Sequence, residues 1–413
     1  MSLIDMGQRA KAAARRLARC GTKEKNAMLL AIGDALWEER ASILAANAED
    51  MERGREKGLS EGLLDRLLLT EERIKGLQEA TKEIVALEDP IGGMEQVRRL
   101  ENGLLVGKKR VPMGVIAIIY EARPNVTVDC ALLCLKASSG LILRGGKEAM
   151  ASNRALTRVM QKALSSFGFE DAVQLIEDPS HETAQELMRL NDYVDLLIPR
   201  GSGRLIQTVK ENASVPVLET GVGNCHVYVD EGADLVMARD IVENAKTQRV
   251  GVCNAMESLL VHENEAEEFL PLFAELVERY GVEVYGDDET RRVLQDAKPA
   301  TEEHYAKEFL AMACSVKVVK DIDEAIAHIT RFGTGHSEVI VTKDLARAER
   351  FTEEVDAACV YVNASSRFTD GGALGLGAEM GISTQKLHAR GPVGLRELCS
   401  EKYVILGQGQ VRE

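Results

Sequence analysis

The sequence predicts an α/β protein built as two open parallel-sheet domains with a small β arm. From residue 115 to 362, short runs rich in Val, Ile and Leu alternate with helical stretches. That is the pattern of strands buried on both faces and joined by crossover helices. Eleven such runs in 413 residues are too many for one compact sheet, so they divide into two layers meeting near 220–232. An Asn-Gly pair at 102–103, set between apolar residues, marks a hairpin outside the alternation.

Taken in order, residues 3–86 read as helices. Leu3, Met6, Ala10, Ala13, Ala14 and Leu17 share one face, which predicts a docked N-terminal helix. The basic residues Arg9, Lys11, Arg15, Arg16 and Arg19 offer a fainter alternative, an organelle transit segment. Thr22 and Thr70 are the expected caps of the helices that follow them. A Pro/Gly break over 89–94 precedes the hairpin, which runs to Val111. The first strand series is 115–120, 140–143, 173–176, 194–198 and 215–218. The second is 226–229, 258–261, 282–285, 316–319, 339–341 and 359–362. A last apolar run, 403–406, suits a sheet edge.

Composition narrows the function. With 45% hydrophobic and 28% charged residues the chain is an ordinary globular protein. A net charge of −15 argues against a nucleic-acid partner, so an anionic ligand must meet local basic residues. No apolar run approaches membrane-spanning length, and no membrane partner is expected. The eight Cys form no C-x-x-C pair and the seven His are scattered, so neither a metal site nor disulfides are expected, and the location expected is cytoplasmic. Cys130 and Cys134, one helical turn apart, read as core.

In open α/β sheets, sites collect at the carboxyl ends of strands. After 115–120 come Arg123 and Asn125, and after 140–143 come Arg144, two glycines and Lys147. Gly201 and Ser202 follow 194–198, and Glu219 follows 215–218. Together these polar or glycine-rich loops suit a phosphate-bearing nucleotide; singly, Lys147 reads equally as a solvated lysine, Gly201 as a turn and Glu219 as a surface acid. The stretches starting at Gly201 and Gly375 both depart from G-x-G-x-x-G, so neither is a Rossmann fingerprint. Cys253 lies in a small-residue loop between a helix over 233–248 and the run 258–261. Lys246 and Arg249 come late in that helix, where its dipole favours cations. Such a loop is a common place for a nucleophile, although a lone cysteine is more often structural.

On these residues the chain resembles the aldehyde dehydrogenase superfamily over nearly its whole length. Asn125 matches the Asn of the P-W-N-F loop, without its Trp and Phe, and Lys147 the Lys that contacts the adenosine ribose. Gly201 and Ser202 match the F-T-G-S phosphate loop. Glu219 matches the Glu of E-L-G-G, with Cys253 following 34 residues later. Glu308 matches the ribose-binding Glu of E-x-F-G-P, without the G-P. Four strings bring the chain closer to one branch, the γ-glutamyl phosphate reductases: Tyr120-Glu-Ala-Arg-Pro-Asn-Val-Thr, Val250-Gly-Val-Cys-Asn-Ala-Met-Glu-Ser, Ser366-Arg-Phe-Thr-Asp-Gly and Gly381-Ile-Ser-Thr-Gln-Lys-Leu-His-Ala-Arg-Gly-Pro.

The resemblance implies an aldehyde dehydrogenase-like fold: a cofactor-binding domain at 1–98 and 113–222, a catalytic domain at 223–383, and an oligomerisation hairpin and tail at 99–112 and 384–413. It implies NADPH-dependent reduction of L-glutamyl 5-phosphate to L-glutamate 5-semialdehyde and phosphate, a step of proline biosynthesis. Cys253 would form the thioester and Asn125 would hold the oxyanion. Whether Glu219 acts as a base stays open, because water would waste the intermediate. Lys147, Arg144, Gly201, Ser202 and Glu308 are the expected cofactor residues. NADP is favoured because Met150 replaces the acid that NAD-preferring relatives carry three residues after the Lys. Arg123 and Arg367, by charge and location, are expected on the substrate phosphate or α-carboxylate. A homodimer or homotetramer is expected, with glutamate 5-kinase as pathway partner. The alternatives are a hydrolytic or coenzyme A-acylating aldehyde dehydrogenase on another small aldehyde, and a non-catalytic scaffold.

Overall fold

In the computed structural model, which describes residues 2–412, the chain forms two units. The first comprises Met1–Glu219, Leu376–Met380 and Val393–Glu413; the second comprises Thr220–Gly375 and Gly381–Pro392.

The first unit begins with helices α1 (Leu3–Leu17), α2 (Thr22–Glu38), α3 (Arg40–Glu56), α4 (Glu61–Leu67) and α5 (Glu71–Ala86). Ser2 and Asp5 form a capping box that starts α1, and its inward face buries Ala10, Ala13, Ala14 and Leu17. Thr70 caps α5 as expected, accepting from the Arg73 N–H at 3.2 Å. Thr22 does not cap α2. It is the first helical residue, after Gly21, and its hydroxyl donates to Asp89 at 2.7 Å.

Strands β1 (Met94–Arg99) and β2 (Leu105–Pro112) follow as the hairpin. Then come β3 (Val115–Tyr120), α6 (Pro124–Lys136), β4 (Gly140–Arg144), α7 (Met150–Ser165), β5 (Val173–Leu175), α8 (His181–Met188), β6 (Leu196–Arg200) and α9 (Gly203–Asn212). The parallel sheet has the order β5-β4-β3-β6, and every residue of β3 is buried. Gly140 lets α1 dock on β4, because an added Cβ would lie 2.9 Å from the Ala10 carbonyl oxygen. Cys130 and Cys134 are fully buried in α6. The run 215–218 does not extend into a strand. It makes one parallel bridge, Val217 to Leu197, because Pro216 on one side and Pro199 on the other have no N–H to continue the ladder.

In the second unit β7 (Cys225–Val229), α10 (Leu235–Thr247), β8 (Met256–His262), α11 (Glu263–Tyr280), β9 (Glu283–Gly286), α12 (Asp288–Val293) and β10 (Lys298–Pro299) come first. They are followed by α13 (Glu302–Tyr305), β11 (Ala313–Val319), α14 (Ile322–Phe332), β12 (Ser337–Val341), α15 (Leu345–Glu354) and β13 (Cys359–Val362). These strands make one parallel sheet ordered β10-β9-β11-β8-β7-β12-β13. Strand alternation divides its core. Val227 and Leu259 pack with Phe269 and Phe273 of α11, whereas Tyr228 and Leu260 pack with Ile329 and Phe351 on the other face. The two-residue β10, absent from the predicted series, sits at the edge, where its proline is tolerated. A short antiparallel pair, β14 (Ile382–Ser383) and β15 (Gly391–Pro392), completes this unit.

The tail returns to the first unit as β16 (Cys399–Leu406), which pairs antiparallel with β2 from Cys399–Pro112 to Leu406–Leu105. The arm is therefore a three-stranded sheet, β1-β2-β16. Among the described residues no helix is long and apolar enough to cross a membrane, and no group of three His, Cys, Asp or Glu is placed to hold a metal ion.

Candidate active site

In the first unit the carboxyl ends of three neighbouring strands, β4, β3 and β6, carry most of the expected residues. Asn125 lies in the first turn of α6, started by Pro124. Its amide donates to Asp129 Oδ2, one turn later, at 3.2 Å. Burial pushes the Asp129 carboxyl up, although Arg200 pulls it down. Arg123 is the residue before this helix, and its N–H donates to the Glu121 carbonyl at 2.7 Å.

After β4 the chain turns through Gly145, where an added Cβ would fall 2.2 Å from Asn153 Nδ2. Lys147 then projects to the surface. Arg144 is turned elsewhere: one Nη donates to the Pro179 carbonyl at 2.7 Å and to that of Ser180 at 3.2 Å, and burial lowers its pKa. Met150 is buried, so the residue at this position belongs to the core. The start of α7 is already filled by the buried Asp50 carboxylate of α3, which accepts from the N–H groups of Ala151 at 3.2 Å and Ser152 at 2.7 Å.

Ser202 caps α9, and a neighbouring carboxylate meets it there. Glu121 accepts from the Ser202 N–H at 2.9 Å and from its hydroxyl at 2.6 Å. An added Cβ at Gly201 would come within 2.7 Å of the same carboxylate. Glu219 pairs with Lys210 of α9 at 3.2 Å.

In the second unit the candidate residues lie at the opposite ends of the strands. Gly223 precedes β7, Cys253 precedes β8 and Glu308 precedes β11, so all three lie on the amino side of adjacent parallel strands. Cys253 is half-buried in the turn that leads into β8. Gly223 lies against it: an added Cβ would come within 1.5 Å of the Cys253 carbonyl oxygen. The thiol of buried Cys225 also donates to this carbonyl, at 3.1 Å. Glu308 is half-buried and accepts from the Gly223 N–H at 2.8 Å, and burial raises its pKa.

Arg367 reaches the same loop from the segment after β13. Its Nε donates to Gln248 at 3.0 Å, and a terminal nitrogen donates to Asn254, next to Cys253. Burial lowers the Arg367 pKa and the nearby Arg249 lowers it further, while Asp370 and, less strongly, Cys253 and Cys225 oppose the fall. Asn254 locks the two segments together, donating to the Thr369 carbonyl at 2.9 Å and accepting Arg367 through its own side-chain oxygen.

Sequence reasoning missed Asn254, Asp129, Glu121 and the partner of Lys246. Asp129 had a signal, being four residues beyond Asn125 on one helix face. Glu121 and Asn254 meet partners 81 and 115 residues away, which no spacing marks.

A family model described as the aldehyde dehydrogenase family matches residues 3–294 and 292–378. A γ-glutamyl phosphate reductase from Moorella thermoacetica is 57% identical over 408 residues, 98% of each chain. One from Carboxydothermus hydrogenoformans is 55% identical over 411 residues, 99% of each. The crystal structure of the γ-glutamyl phosphate reductase from Thermotoga maritima matches with a TM-score of 0.98 at 48% identity, with both chains fully covered. The chain belongs to the aldehyde dehydrogenase family and, within it, to the γ-glutamyl phosphate reductases.

Proposed function

We propose that the chain reduces L-glutamyl 5-phosphate to L-glutamate 5-semialdehyde and phosphate with NADPH, as a step of proline biosynthesis. The observation that carries this reading is Arg367, a guanidinium tied to the residue after Cys253. A cation there suits a substrate whose leaving group is phosphate.

Cys253 attacks the acyl carbon, phosphate departs, and a thioester remains on the sulfur. The Asn125 amide and the Cys253 backbone N–H are assigned to the oxyanion, each such donor being worth roughly 3 kcal/mol. The glycine beside the Cys253 carbonyl and the Asn254–Thr369 bond hold the loop still while this happens. Arg367 receives the departing phosphate, and Arg123 is assigned to the substrate's anionic groups. A nicotinamide dinucleotide supplies the hydride when bound. An exposed lysine suits its phosphates, as does the serine-capped start of α9 once the Glu121 carboxylate leaves it, and Lys147, Gly201, Ser202, Arg144 and Glu308 are assigned to it. Family membership implies the nicotinamide. The preference for NADP rests on exposed Lys147, since Arg144 is held by the Pro179 and Ser180 carbonyls and buried Met150 carries no argument either way. Glu219, paired with Lys210, is assigned a minor role rather than that of a base.

The first unit is assigned to cofactor binding and the second to catalysis. The arm is assigned to assembly of a homodimer or homotetramer, a role supported by exposed Tyr403, Ile405 and Leu406 on β16. A cytoplasmic location and glutamate 5-kinase as pathway partner complete the reading. The test is a comparison of acyl acceptors: NADP⁺ reduction by glutamate 5-semialdehyde with phosphate, with coenzyme A, and with neither. Phosphate alone should support turnover. Equal rates without it would identify a hydrolytic enzyme, and stimulation by coenzyme A an acylating one.

A further inference from the structure

Two buried opposite charges close the base of the Cys253 loop. Lys246, in the last turn of α10, and Glu257, the second residue of β8, are 1% and 0% exposed. The Lys246 ammonium donates to the Met256 carbonyl and to Glu257 Oε2, each at 2.8 Å. It thus joins the chain just before the loop to the chain just after it. Its sequence position suggested a cation serving the helix dipole; its burial and its partners give it a different task.

The second oxygen of Glu257 accepts from the Leu310 N–H at 3.1 Å. Leu310 has φ 52, in the left-handed region, where a residue with a side chain persists only when its surroundings hold it. Two residues earlier stands Glu308, bonded to Gly223, whose backbone lies against Cys253. The contacts therefore run in a ring: the Cys253 loop, Lys246, Glu257, Leu310, Glu308, Gly223, and back to Cys253. Burial pushes the Glu257 carboxyl up to about 7 against the pull of Lys246, and Glu308 adds to the rise, so the two acids sense each other.

We propose that the buried Lys246–Glu257 pair is a positioning device that sets Cys253 and Glu308 in one fixed geometry. Fold stability alone does not call for it, because a buried ion pair is often replaced by apolar residues of similar volume without loss of stability. Its consequence for turnover rests on the reading of Cys253 as the nucleophile, but the tether itself does not.

The test is the double variant Lys246→Met with Glu257→Leu, read by melting temperature, by steady-state kinetics and by the iodoacetamide alkylation rate of Cys253 followed by peptide mass. The expected result is an unchanged or higher melting temperature and a slower, altered alkylation rate. The kcat should fall on the order of 100-fold, with KM moving far less, as a displaced reacting group demands. Wild-type kcat and alkylation in a folded double variant would overturn the proposal. Should that variant not fold, Glu257→Gln keeps the shape and removes the charge; a fall in kcat and alkylation there supports the proposal, and wild-type values overturn it. Alkylation needs no substrate. A wild-type enzyme without phosphate-dependent activity would therefore overturn the functional reading while leaving the positioning result to stand.

Discussion

Asn254 donates its side-chain amide to the Thr369 carbonyl at 2.9 Å, joining the proposed nucleophile's neighbour to a segment more than a hundred residues away. The same side chain accepts Arg367, and it is only 5% exposed. Asn254→Ala removes all of these bonds and leaves a buried carbonyl unpaired, at a cost of roughly 1–3 kcal/mol. A lower melting temperature and a marked loss of kcat are expected together. Wild-type kcat in the folded variant would show that the Arg367 segment does not serve the Cys253 loop.

Glu121 occupies the donors at the start of α9 that a dinucleotide phosphate would use. Two anions cannot share them, so one must leave. Glu121→Gln is expected to tighten NADPH binding several-fold in a fluorescence titration, with the effect greatest at low salt. Weaker binding would assign the carboxylate to the cofactor's ribose instead.

Asp129 orients the Asn125 amide from one turn down the same helix. Asp129→Ala is expected to lower kcat about tenfold, less than the roughly 100-fold or more that loss of an oxyanion donor itself costs, because the Asn125 amide stays and only its orientation is lost. Asp129→Asn keeps an acceptor and should restore most of the rate. Equal damage from both variants would point to the charge rather than the hydrogen bond.

Burial pushes the His336 imidazole down to about 4 and holds it neutral. The unfolded chain binds a proton at this site near the ordinary 6.5, and the folded chain does not. Between those values the unfolded state holds more protons, so stability falls as pH falls below 6.5. His336→Gln should flatten this part of the melting-temperature profile between pH 7 and 5. An unchanged slope would assign the acid sensitivity to other groups, first among them His328, which burial lowers to about 2.

The legible and the hidden parts of this molecule divide along one rule. In the first unit the proposed residues Asn125, Lys147 and Ser202 lie in the loops after β3, β4 and β6, where the carboxyl-end rule for open sheets looks for a site. In the second unit the proposed residues Cys253 and Glu308, with Gly223, lie at the amino ends of the strands, which the carboxyl-end rule does not point to. Cys253 stands out in the sequence as a candidate through its small-residue loop and its family string. Lys246 was visible but misread, because a lysine near a helix end looks the same in sequence whether it is solvated or buried on a glutamate eleven residues on. The run 215–218 is apolar enough for a strand, and two prolines, Pro216 within it and Pro199 opposite, reduce it to a bridge.

In the proposed reaction Cys253 carries the acyl group and phosphate removes it. Mixing the enzyme with NADP⁺ and glutamate 5-semialdehyde in phosphate-free buffer tests this in one rapid-mixing trace. A burst of NADPH equal to the number of active sites is expected, then a stall, then turnover when phosphate is added, with no burst from Cys253→Ala. Steady turnover without phosphate, or a full burst from the Cys253 variant, would contradict it.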